Sequence, residues 1–162
     1  MARVSKINYY LDIAQTVSER STCLRKRYGA IIVKNDVIIS TGYNGAPRGR
    51  KNCCDIGRCT REELNIPRGE RYEMCRSVHA EANAIIAAPR DQMLDAELYM
   101  CCTQPGSGEI ISGICSCMMC KRMVLNAGIS RVIVREDSEN YTVFNTEDWV
   151  THDDSLEGKF GY

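Results

Sequence analysis

His79 and Glu81, two residues apart, and Cys117 and Cys120, three apart, are the side chains of this chain whose types and spacing could do chemistry together. One imidazole and two thiolates give a zinc ion three protein ligands and leave its fourth position for water, which separates a catalytic site from a closed structural one. Zinc lowers the pKa of its water toward about 7, supplying hydroxide at neutral pH. Residues i and i+2 do not share a helix face. His79 can therefore bind metal while Glu81 faces the water and substrate as a proton shuttle rather than a ligand. Cys117 and Cys120 fall on one face of a helix. Ser116 is expected to cap that helix, placing Cys117 in a first turn whose dipole favours a thiolate. Cys115 keeps a second pairing open, Cys115-x-Cys117, and a purely structural zinc with Glu81 as a surface carboxylate is the competing reading.

The elements that must position these groups are written in hydrophobic periodicity. Ile7, Tyr10, Leu11, Ala14 and Val17 recur at helical spacing, predicting a helix over residues 5–20. Residues 29–33 and 37–41 are β-branched runs around Lys34-Asn35-Asp36, the pattern of a hairpin with a short polar turn. A loop follows over 42–47. Residues 78–88 read as a helix stopped by Pro89, 96–102 as a buried strand, 117–127 as a helix ended by Gly128, and 131–135 as a strand. Such alternation predicts a sheet covered by helices. Residues 48–76 are polar, charged and dotted with cysteine, too long for a plain connection unless something organises them. The acidic tail, 136–162, shows no clear pattern.

Composition narrows the class. The length of 162 residues fits one domain, 1–162. No apolar run approaches the ~20 residues that span a bilayer, and the N-terminus lacks a signal-peptide core, so no membrane association and a cytoplasmic location are expected. Ten cysteines in such a chain point to metal or catalytic thiols rather than disulfides; Cys101 and Cys102, in an apolar run, read as small buried hydrophobes. The net charge is zero, which argues against a protein that holds long nucleic acid. Residues 1–80 carry 15 Lys/Arg against 8 Asp/Glu, and residues 81–162 carry 6 against 13. The excess is heaviest from Arg48 to Arg76, suited to a small phosphate-bearing ligand. Arg25 and Arg27, just before the first strand, could supply phosphate charge through their planar forks.

H-x-E followed by P-C-x-x-C is the signature of zinc nucleobase deaminases, in which hydroxide attacks an amino-bearing ring carbon and the glutamate moves the proton. His79-Ala80-Glu81 and Cys117-Met118-Met119-Cys120 match it, with Ser116 where the proline is expected. Together with Gly42-Tyr43-Asn44-Gly45 and His79-Ala80-Glu81-Ala82-Asn83-Ala84-Ile85, the chain resembles the cytidine deaminase superfamily from about residue 6 to 135, and within it the deoxycytidylate deaminases. The resemblance implies a three-layer α/β/α fold with a central mixed sheet of about five strands, zinc at His79, Cys117 and Cys120, and conversion of dCMP to dUMP and ammonia, the precursor step to thymidylate. It also implies a homo-oligomer, commonly a hexamer, dCTP and dTTP as effectors, and Tyr43 and Asn44 as contacts to the nucleotide's sugar and phosphate.

The same resemblance implies a second, structural zinc: Cys23 and Cys53 match positions that bind one in relatives, Cys59 and Cys75 could complete the shell, and Cys54 is a spare. Besides Ser116, the chain departs from the family in residues 103–114, an insertion before the zinc cysteines that could be a lid or specificity loop. The alternatives are a deaminase of another cytosine compound or small heterocycle (cytosine, cytidine, dCTP), and a non-catalytic zinc- or nucleotide-binding regulator. An editor of tRNA or single-stranded DNA would want a more aromatic, basic surface.

Overall fold

A computed structural model describes residues 1–157. The elements run α1 (Lys6–Ser18), β1 (Arg27–Lys34), β2 (Val37–Tyr43), α2 (Cys53–Ile56), α3 (Thr60–Glu63), α4 (Ala80–Ile86), α5 (Arg90–Met93), β3 (Glu97–Thr103), α6 (Met118–Ala127), β4 (Arg131–Arg135), β5 (Tyr141–Asn145) and α7 (Thr146–Thr151), with short 3-10 turns at Tyr72–Met74 and Asp154–Glu157. The five strands form one mixed sheet in the order β2-β1-β3-β4-β5, in which β3 and β4 are parallel and the other neighbours antiparallel.

The continuous apolar runs of the three central strands are explained by burial on both faces. Ala30, Ile32, Leu98, Met100, Cys102, Val132 and Val134 join the core under α4 and α6. The alternate residues Ile31, Val33, Tyr99, Cys101 and Ile133 pack against Tyr10, Leu11 and Ala14 of α1. The layers are therefore α1, the sheet, and α4 with α6. Cys101 and Cys102 are fully buried on opposite faces, and burial raises their thiols to about 11 and about 12, as expected of small core hydrophobes.

The helix over 5–20, the hairpin and the strands at 96–102 and 131–135 form as predicted. The hairpin turns on Asn35 and Asp36, both at positive φ, the backbone of a two-residue primed turn. The tail differs from the sequence reading: residues 141–145 add the fifth strand along β4, and Phe144 and Trp149 pack against the core. Its alternation is short and bounded by acidic residues, so its signal is visible once β4 offers an edge to pair with.

α4 is held unusually close to β2. A Cβ on Gly42 would fall within the backbone of α4, against Ala80 and Ala84. Ser40 Oγ donates to the Ala84 carbonyl (2.7 Å) and Asn83 Nδ2 to the Tyr43 carbonyl (2.8 Å). These contacts tie the Gly42–Gly45 segment to the helix that carries Glu81. Gly42→Ala is expected to destabilise the fold by about 1–3 kcal/mol, the range of core overpacking. Gly45→Ala, whose Cβ would lie 3.0 Å from the Thr22 hydroxyl, is expected to cost less. Urea unfolding of the two variants checks the order.

Candidate active site

The site sits where the C-terminal end of β3 meets the start of β1. His79 occupies the N-cap position of α4, its backbone extended (φ −69°, ψ 156°), and Glu81 lies in the first turn, 4% exposed. Cys117 is itself the N-cap of α6: its Sγ accepts from the Cys120 N–H at 3.4 Å. The expected cap, Ser116, is one residue further out and completely buried. A thiolate accepts a helix N–H as a cap oxygen does, and takes the role from serine here.

His79 Nδ1 lies 3.5 Å from Cys117 Sγ and 3.4 Å from Cys120 Sγ, and the three donor atoms fall within 4.8 Å of one another. Zinc bonds of ~2.3 Å to sulfur and ~2.05 Å to nitrogen at a tetrahedral centre would separate N from S by about 3.6 Å, so the donors fit a zinc ion. Hydrogen bonding to Cys120 outweighs burial and, with His79, brings the Cys117 thiol down to about 4. Its partner Cys120 shifts upward, as one of two sulfurs sharing a proton must. Burial opposes the charged form of His79, yet bonds to Cys117 and Cys75 raise it to about 10. The three groups thus bind cationic charge, a proton or a metal, tightly.

Burial raises Glu81, opposed by the nearby His79, and the carboxyl lies against Cys120. An upward-shifted carboxyl beside a metal-ligand set is suited to taking and giving protons. The His79 ring is further fixed by Cys75, which bonds to it, and by the edge of Tyr72 at 4.9 Å between centroids. Burial raises the Cys75 thiol, but His79, the Ser77 backbone and the charge of Arg61 carry it below its ordinary value.

One cavity joins these groups to Arg25, Lys26, Asn44, Arg61, Arg68 and Tyr72. Of the expected substrate contacts, Arg25 and Asn44 line it, whereas Tyr43 and Arg27 do not. Tyr43 projects outward, 36% exposed, and contributes its carbonyl to Asn83; Arg27 is drawn into the sheet opposite Thr103. Arg25 bonds to Glu62 at 3.1 Å. The Asn44 amide is already engaged: Oδ1 accepts from Ser21 Oγ (2.5 Å) and Tyr28 N (2.8 Å), and Nδ2 donates to the Lys26 carbonyl (3.0 Å). It therefore fastens the chain that presents Lys26.

Cys23, Cys53, Cys59 and Cys75 all line the same cavity, and burial with the proximity of the other three raises the Cys53 thiol. Among the described residues, however, His79, Cys117 and Cys120 are the group gathered as tightly as metal ligands. Cys54 is exposed, and Cys115 lines the cavity outside that trio. No residue of 103–114 is among the described residues that line the cavity: the insertion folds back on β3, with Gln104 N bonded to Glu109 O and Ile111 N to Cys102 O. Ile111 packs into the core, which draws this segment away from the mouth. Lys26, Arg61, Arg68 and Tyr72 were not singled out from the sequence; for Arg61 and Arg68 the signal was the unspecific basic excess between Arg48 and Arg76.

The family model for the cytidine and deoxycytidylate deaminase zinc-binding region matches residues 4–136. The chain belongs to this zinc-binding deaminase family. It is 33% identical to the deoxycytidylate deaminase of Mycobacterium phage D29 over 142 residues, 85% of this chain and 100% of that one. It is 31% identical to the deoxycytidylate deaminase of Schizosaccharomyces pombe and 32% identical to that of Saccharomyces cerevisiae, over 81% and 88% of this chain but only 37% and 43% of theirs. The chain thus spans less than half the length of these two yeast relatives. Among solved structures it resembles the dCMP deaminase of cyanophage S-TIM5, at 27% identity and a TM-score of 0.54 over 84% of this chain and 86% of that chain. That protein has also been crystallised with dCMP and dUMP. No helix among the described residues is long and apolar enough to cross a membrane.

Replacing Cys120 by Ala is expected to remove about one zinc equivalent per chain while far-UV circular dichroism is retained, because a three-ligand site does not survive on two. Cys115→Ala is expected to leave the zinc content unchanged. Metal analysis after dialysis compares the two.

Proposed function

We propose that this chain catalyses zinc-dependent hydrolytic deamination of dCMP to dUMP and ammonia, the step that feeds thymidylate synthesis. The observation that carries the reading is the convergence of His79, Cys117 and Cys120 beside a buried Glu81, in a cavity with a cationic wall. The likeness to a phage enzyme crystallised with dCMP and dUMP supports the choice of nucleotide.

In this reading His79, Cys117 and Cys120 hold the metal. Zinc, when bound, makes hydroxide available near neutral pH and so supplies the nucleophile. Glu81 accepts the proton released by water and delivers it to the ring nitrogen beside the reacting carbon, then takes the second proton from the hydroxyl now on that carbon and passes it to the departing amine. Water is consumed, the C–N bond breaks, ammonia leaves, and the ring keeps oxygen as a carbonyl. Cys75 and Tyr72 hold the imidazole in place, and the basic wall takes the nucleotide's phosphate. Burial of Glu81 keeps bulk water from competing for its proton.

The same reading treats residues 1–162 as one deaminase domain in the cytoplasm that assembles as a homo-oligomer, with dCTP and dTTP as candidate effectors. It also includes a second, structural zinc held by Cys23, Cys53, Cys59 and Cys75. The thiols' arrangement around one cavity supports this, and closure of that shell would bring their sulfurs together around the ordered segment 48–76.

Glu81→Gln is expected to lower turnover by about 10³-fold or more, within the reach of a lost proton shuttle, with zinc content unchanged. Activity that survives this change rejects the mechanism. Ammonia release from a panel of dCMP, dCTP, deoxycytidine, cytidine and cytosine identifies the substrate, with dCMP expected to lead. In the purified wild type, metal analysis is expected to find two zinc ions per chain; one removes the structural site.

A further inference from the structure

Ser116 carries a buried hydroxyl that neither the helix nor the metal-ligand set uses. The residue is completely buried, and its Oγ closes no hydrogen bond of good geometry among the described residues. The capping role that its position offers is taken, because the Cys117 Sγ caps α6. At this place the deaminase signature has a proline, which has no hydroxyl to satisfy. A polar group sealed from water without a partner is costly, so this one calls for a use.

The group it faces is the Glu81 carboxyl. Burial raises Glu81, and a side-chain hydrogen bond from Ser116 is among the influences that draw it back. The neighbours agree on the placement: Cys115 feels the charge of Glu81, and Cys120 bonds to its carboxyl. The chain that enters α6 therefore borders the carboxylate along its length from Cys115 to Cys120. Glu81 is itself buried and stands outside the trio gathered as tightly as metal ligands, so neither bulk water nor that trio fixes its oxygens. A contact that nears hydrogen-bond geometry without closing is common for catalytic groups before substrate arrives. A hydroxyl has one donor and two acceptor sites and turns to suit its partner. It can donate to a carboxylate and accept from a carboxylic acid, and a proline ring can do neither.

We propose that Ser116 is a positioning residue for the proton shuttle: its hydroxyl holds the Glu81 carboxyl toward the reacting ring. Ser116 is not among the described residues that line the cavity, so it acts through Glu81 rather than on the substrate. The inference rests on the deaminase reading above and adds a residue that the family signature does not contain.

Zinc-loaded wild type and Ser116→Ala are assayed with dCMP, and zinc content and thermal unfolding are measured on the same samples. The variant is expected to lose about tenfold in kcat, as for one hydrogen bond to a charged group, with KM within about twofold and with zinc content and Tm retained. An unchanged kcat overturns the proposal, and so does a loss accompanied by departing zinc or a lowered Tm, which marks a merely structural role. Made in the Glu81→Gln background, the same substitution is expected to cost nothing further, since the two residues act as one unit; a full additional loss overturns it. Should Ser116→Ala not fold, Ser116→Cys, whose thiol is a weak donor, carries the same test with the same sign. The 13C NMR signal of the Glu81 carboxyl, assigned by its disappearance in Glu81→Gln, reads the contact without turnover. It is expected to shift in zinc-loaded Ser116→Ala, and an unmoved signal overturns the proposal. A wild type that deaminates no cytosine compound sinks the deaminase reading, whereas the carboxyl signal upholds or rejects the Ser116 contact on its own.

Discussion

The structure depends on bringing two thiols to 3.4–3.5 Å from one imidazole that lies 38 or more residues away in the chain, with all three donor atoms within 4.8 Å of one another. Sulfurs this close cannot both carry full negative charge unless a cation lies between them, so the arrangement binds protons or a metal by its electrostatics alone. The two helices that supply the donors share one face of the sheet. Each presents one donor at its N-cap, His79 and Cys117, and Cys120 follows in the first turn of α6. Cys117 caps α6 through its Sγ, and its low pKa follows from its hydrogen bonds with Cys120 and His79.

Conserving that approach constrains the neighbours. Gly42 lets the backbone of β2 lie against α4, and Ser40 and Asn83 fasten the two with hydrogen bonds. The Gly42–Gly45 segment therefore acts here largely through its backbone and the Asn44 amide. Tyr43 faces outward, while Asn44 spends its amide on Ser21, Lys26 and Tyr28. What reaches the cavity from this part of the chain is the wall that Asn44 holds in place.

Cysteine shows how completely environment sets chemistry in this protein. Cys101 and Cys102 are apolar filling, their thiols raised to about 11 and about 12. Cys117 is depressed to about 4 by hydrogen bonds at a helix start. Cys75 is half-buried, yet lies below its ordinary value because it bonds to His79 and feels the charge of Arg61. Burial alone pushes thiols up; partners able to donate or carry positive charge reverse the sign.

The candidate ligands His79, Cys117 and Cys120, the neighbouring carboxylate and the alternating helices and strands were legible in the sequence because each is a local signal: short spacings such as His79-x-Glu81 and Cys117-x-x-Cys120, and periods of two or 3.6 residues. The inert character of Cys101 and Cys102 was legible for the same reason. The tertiary structure alone decided that Cys117 rather than Ser116 caps α6, that the insertion at 103–114 turns back onto β3, that the tail supplies a fifth strand, and that Arg61 and Lys26 rather than Arg27 and Tyr43 face the cavity. Those outcomes depend on which surfaces meet across the fold, and a cation in an aperiodic segment carries no local mark of whether its neighbours in space will be water, carbonyls or a ligand.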